Sequence, residues 1–230
     1  MSMNWYTHLL WVVAAGVLGF ATAAVFAGTL RLPRNWFLVP YTLLAGAFVY
    51  GYFSWSQLDM GDLIRHNWLW GVVGAVALGL FVVNNALSQP ASPPSQGPRL
   101  AFDLFWLGVV YGTLDALLLS VIPVLATWQA FSGLGWTVSW PGRLAVGGIA
   151  LVASLFVTLA YHLGYPEYRG PQVRAPLFGN GMMSLGYLLT KNPIAAVGSH
   201  IAMHIACVVH GPATTAQLPP HYQVPLRVTP

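Results

Sequence analysis

Between residues 104 and 131 the chain carries no charged side chain except Asp115. A membrane-crossing α-helix needs about 20 apolar residues, because the hydrocarbon core is about 30 Å thick and each residue rises about 1.5 Å. Backbone N–H and C=O groups have no water to bond in hydrocarbon, so a run of this kind must satisfy them within a helix. Similar apolar runs recur at 5–30, 36–54, 67–87, 143–165 and 192–211, and the fourth extends over 102–131. Charged residues make up 6% of the 230, hydrophobic residues 57%, and the mean hydropathy is +0.65. A soluble domain carries roughly 25% charge, so this chain cannot cover a water-facing surface. The expected fold is all-α, a polytopic transmembrane helical bundle of about seven spans. The protein is then integral to the membrane, multi-pass, with the lipid bilayer as its main partner.

The remaining span is the weak one. Residues 175–190 would form a helix of about 24 Å, short of the ~30 Å core, so this piece is either a tilted short span or re-entrant. Three spans (1–88) precede a Pro/Ser-rich linker, QPASPPSQGPR (89–99). A polar-core half (100–211) follows, and then an extended tail (212–230). MSMNWYTHLL lacks a basic n-region, so its apolar run reads as a retained first span. The net charge of +4 is spread over loops without a basic run, which leaves no nucleic-acid partner. One cysteine excludes an internal disulfide. Arg31, Arg34, Arg99, Arg169 and Arg174 fall on one side of the alternating spans, and Arg65, Arg143 and Lys191 on the other. The positive-inside rule then favours an outside N-terminus.

The last span holds the strongest chemical signal. NPIAAVGSHIAMHIACVVHG carries His200 and His204 four residues apart, with Cys207 three further on. At ~100° per residue the three fall in a stripe roughly 60° wide. Ionisable groups at membrane depth usually face a protein interior or a water-filled cavity, which makes a functional site the default expectation. The alternative is a helix–helix interface in which neutral histidines bond to neighbouring helices. Two other spans supply partners: Asp115 in YGTLDALLLSVIPV and His162 near the end of the fifth span. Pro123 removes one backbone donor two turns past Asp115. Cys207 reads as a small packing residue. His8, His66 and His221 read as interfacial or solvated.

TLAYHLGYPEYRG and PIAAVGSHIAMH resemble the second and third motifs of the CAAX protease and bacteriocin-processing (CPBP, ABI-type) intramembrane proteases. Those motifs have the forms FxxxH and HxxxN. The resemblance places His162 and His200 as the two histidines, with Thr158 at the phenylalanine position and His204 in place of asparagine. It covers roughly 100–211. The family's first motif, EExxxR, does not occur; Asp115 stands in its place, one methylene shorter and without the arginine. The resemblance implies a prokaryotic-type cell membrane and a catalytic set of Asp115, His162, His200 and His204. In such a set the acid activates water while the other groups support that water and the oxyanion. The missing motif implies a divergent relative, with an expectation against retained peptidase activity.

Two other classes use the same residues. Asp115, His162, His200 and His204 are N and O donors suited to a divalent metal, with His162, His200 and His204 as the metal ligands. Less favoured is a haem held by one histidine from each of two spans. The third class is an accessory or scaffold subunit among other membrane protein subunits, with the polar residues as packing.

Overall fold

The computed structural model describes residues 4–211, and the expected extended tail with His221 lies outside them. Among the described residues the chain is a bundle of eight helices without strands. Five are long and apolar enough to cross a membrane: α1 (Trp5–Thr29), α2 (Arg34–Ser56), α4 (Trp68–Leu87), α5 (Gly97–Gly133) and α6 (Trp140–Leu163). The short α3 (Met60–Arg65) joins α2 to α4. The last two apolar stretches form α7 (Arg174–Thr190) and α8 (Ile194–His210), each of 17 residues, short for an upright crossing.

Local chemistry explains the boundaries. Asp59 caps α3, its carboxylate accepting from the amides of Gly61 and Asp62 at 2.6 and 3.2 Å. Ser139 caps α6 in the same way, with a proline following in the first turn. Between α7 and α8 the chain reverses through Lys191, whose φ of 54° is left-handed. Asn192 then does two jobs. Its Oδ1 accepts from the amide of Ile194 at 2.8 Å, capping α8, while its Nδ2 donates to the carbonyls of Ile64 and His66 at 2.7 and 2.6 Å. One side chain thus ties the α7–α8 turn to the end of α3.

α5 is the axis of the bundle. Some 72% of its most apolar stretch is buried, against 22–33% for the other long helices. Its turns widen to π-helical over Leu104–Val110 and Ala116–Val121, on either side of Tyr111–Asp115. Pro123 stands four residues after Leu119 and carries no N–H, so the Leu119 carbonyl has no α-helical donor. Ser154 of α6 donates to it at 2.7 Å and Asn180 of α7 at 3.3 Å. The break in one helix becomes the joint between three.

Around this axis, α1 packs on α6 and on the later part of α5, and α8 lies between α4 and α5. The α5–α8 approach is close. A Cβ at Gly112 would sit 2.9 Å from the Cα of Ile201 and 3.1 Å from the carbonyl of His200. The 89–99 segment is held on the bundle rather than looped away. The Ser92 amide donates to the His210 carbonyl at 3.1 Å, His210 Nε2 donates to the Gln89 carbonyl at 2.6 Å, and Ser95 Oγ donates to Asp103 at 2.6 Å. α5 already begins at Gly97, inside that segment. His8, read from sequence as interfacial, is instead buried between α1 and α2, its ring against Tyr52 and Trp55. Those aromatic partners are 44 and 47 residues away on the next helix, where no local pattern announces them.

Candidate functional site

α4, α5, α6, α7 and α8 line a cavity of about 630 Å³, and Asp115, His162, His200 and His204 all face it. Each of the four is at most 6% exposed. Asp115 reaches it because the α-helical turn between the two widened segments puts Tyr111 and Asp115 on one face, four residues apart. His200 and His204 present the same i, i+4 face of α8. His162 arrives from the last turn of α6.

The two oxygens of Asp115 are used differently. Tyr41 of α2 donates its hydroxyl to Oδ1 at 2.6 Å, while Oδ2 lies 3.4 Å from His204 Nε2. That second separation exceeds the 2.7–3.2 Å of an N–H···O bond, so the pair is in contact without being bonded. Among the described residues neither ring nitrogen of His204 has a hydrogen-bond partner, although both are buried. The ring lies against Tyr111 at a centroid distance of 4.7 Å. A buried nitrogen without a partner costs about 1–3 kcal/mol.

His162 and His200 are set alike. Each uses Nδ1 to donate to the carbonyl one turn earlier, Thr158 at 2.8 Å and Ala196 at 3.1 Å. A carbonyl only accepts, so Nδ1 carries the hydrogen, and in the neutral ring Nε2 keeps a lone pair. Both rings line the cavity, and Nε2 is the nitrogen left to serve it. Two fixed tautomers on two helices, beside a carboxylate, form an arrangement able to polarise or deprotonate a small molecule.

Several residues of this site had no sequence signal. Tyr111 and Tyr161 share a hydroxyl contact of 2.7 Å, and Tyr165 donates to Tyr161 at 2.8 Å, so phenols wall the Asp115 side of the cavity. Asn180 forms its floor. Its Nδ2 donates to Thr158 Oγ1 at 2.5 Å and to Ser154 Oγ at 3.0 Å, and its Oδ1 accepts from Ser120 at 2.7 Å. Ser184 closes the network against Ser120 and Ser154. Since the Thr158 carbonyl fixes His162, this network sets where that ring points. Glu167 and Tyr168, from the turn after α6, line the cavity at its outer end. Burial, and then the neighbouring Glu167 carboxylate, raise the Tyr168 phenol above its ordinary value and keep it a hydrogen donor.

Cys207 stays out of the cavity, packed against Ala86 and Ala206 where α8 meets α4. Among the described residues no three His, Cys, Asp or Glu side chains come together closely enough to hold a metal ion. The metal expectation therefore finds a shared cavity but no coordination sphere. Compared with known protein families, curated proteins and solved structures, the chain matches none.

Proposed function

We propose that this multi-pass membrane protein carries a water-activating site inside its helical bundle, organised like the intramembrane proteases its second-half motifs resemble. The observation that carries the reading is the convergence of Asp115, His162, His200 and His204 from three helices onto one cavity. Asp115 is the general base: Tyr41 holds Oδ1, which leaves Oδ2 to take a proton from a water. The oxygen of that water attacks a substrate carbonyl. His162 and His200, with Nδ1 anchored and a lone pair on Nε2, are oriented to accept from that water and hold it for attack, and the proton taken by Asp115 passes to the amine nitrogen as the C–N bond breaks. His204 occupies the place of the family's asparagine and faces Asp115 directly, so the acid that lacks an arginine partner has an imidazole one instead. The positive-inside count favours the ends of α1, α4, α6 and α8 on the cytoplasmic side.

Hydrolysis in H₂¹⁸O leaves ¹⁸O in each new carboxyl terminus. Membranes containing the wild-type protein, Asp115→Asn or His200→Ala are incubated in labelled water, and peptide termini are compared by mass spectrometry. Labelled termini present with wild type and absent with both variants, at equal protein abundance, are the expected result. Identical terminus profiles in all three would end the hydrolytic reading. The polar cluster would then be the core of an accessory or scaffold subunit.

A further inference from the structure

The cavity is lined by two groups of residues of opposite character. At the outer end its wall carries Asn85, Gln89, Gln172 and Glu167, on or beside the loops that bound α4 and α7. Toward the side it is closed by Phe81 of α4 and Phe178 of α7, whose rings meet edge-on at 6.2 Å. Both rings are lining residues, yet they are 44% and 63% exposed, so the same pair faces the cavity and the outside of the bundle. Phe81 lies about 9 Å from the end of α4 and Phe178 about 6 Å from the start of α7, at 1.5 Å per residue. That depth is acyl-chain territory just beneath the head groups.

We infer that the cavity binds a single-chain lipid with an uncharged, hydrogen-bonding head, admitted sideways from the bilayer between α4 and α7. Size decides for one chain: at roughly 30 Å³ per water-sized group, a cavity of about 630 Å³ holds roughly twenty such groups. That is one acyl chain with a small head, and too little room for two chains or for a transmembrane helix. Phe81, Phe178 and Met183 supply the apolar wall, with Met203 on α8 opposite, and thioethers adapt readily to a flexible chain. The head group chemistry follows from the mouth. The Asn85 and Gln172 amides offer both donors and acceptors, while Asp115 further in opposes an anion. The inference does not depend on the water-activating reading, because binding is read directly.

Gly179 gives a clean block. It lines the cavity, and a Cβ there meets nothing within 4 Å, so a larger side chain can be placed at the cavity wall without a clash at its base. Wild type and Gly179→Phe are reconstituted in lipid nanodiscs and irradiated with two diazirine probes, a monoacylglycerol and a diacylphosphatidylcholine, and adducts are mapped by peptide mass spectrometry. The expected result is monoacylglycerol labelling of the peptides containing Met183 and Met203, reduced at least tenfold in Gly179→Phe. Labelling of the outward Leu43 and Tyr50 should stay unchanged. Phe81→Ala with Phe178→Ala removes the door without filling the site and should speed cavity labelling several-fold. Cavity labelling insensitive to Gly179→Phe, equal labelling by the diacyl probe, or adducts confined to the outer surface would each overturn the inference.

Discussion

The joint between Pro123 and Ser154 makes a quantitative test of how the site is held. Pro123 withholds the donor that the Leu119 carbonyl would receive in an unbroken helix, and Ser154 Oγ supplies one from α6 at 2.7 Å. Ser154→Ala removes that bond together with contacts to Ser184 and Asn180. Interhelical hydrogen bonds in membranes average about 0.6 kcal/mol and reach about 1.7, so the substitution should cost about 1–2 kcal/mol. Pro123→Ala restores an amide hydrogen within reach of Leu119. In that background the Leu119 share of the Ser154 bond is redundant, and Ser154→Ala should cost about 1 kcal/mol less. The four proteins of the cycle are unfolded reversibly in a detergent titration, and the coupling is taken from their free energies. The double variant should be more stable than the sum of the single effects predicts. Additivity within about 0.3–0.5 kcal/mol, the spread of independent sites, would refute the claim that the serine compensates the proline.

Three further outcomes follow from named contacts. Tyr41→Phe deletes the 2.6 Å bond to Asp115. It should destabilise the protein by about 1.5–3 kcal/mol, the range for bonds to charged groups, measured in the same detergent titration. Gly112→Ala places a methyl 2.9 Å from the Cα of Ile201, backbone that cannot rotate away. The overpacking should cost about 1–3 kcal/mol and separate α5 from α8, read as a longer distance between spin labels on the two helices. Asn192→Ala removes the tie to α3 and the cap of α8. It should cost about 1–2 kcal/mol and raise hydrogen exchange at residues 64–67 and 194–197, leaving the Asp115 environment unchanged.

The helices were legible because a residue in hydrocarbon must be apolar or answer for itself, so apolar runs translate directly into elements. Asp115, His162, His200 and His204 were legible for the complementary reason: each interrupts such a run. Tyr41, Tyr111 and Tyr161 interrupt nothing. A phenol reads as apolar in a composition window, and only its partner on another helix reveals that the hydroxyl is at work. Asn180 hid in the shortest stretch, among glycines and methionines. Its partners Ser120, Ser154 and Thr158 are 22 to 60 residues away in sequence. Glu167 carried no signal because nothing local shows that its turn lines the cavity. The length of α8 was also overread. Asn192 and Pro193 count as part of an apolar run, but the asparagine is engaged as a latch and cap, and the helix starts after the proline.

The shortness of α7 and α8 has a consequence for where the protein can live. Each of these 17-residue helices is about 26 Å long, below a ~30 Å hydrocarbon core, while the 37 residues of α5 extend about 55 Å. Lipid beside α5 meets a helix that can tilt, but lipid beside α7 and α8 must thin to meet theirs, at a fraction of a kcal/mol per Å. The side of the bundle that holds the cavity is then its thinnest rim. Membranes with short or disordered chains should retain the protein, thick sterol-rich ones should exclude it, and bilayer thickness becomes a variable acting on the cavity from outside.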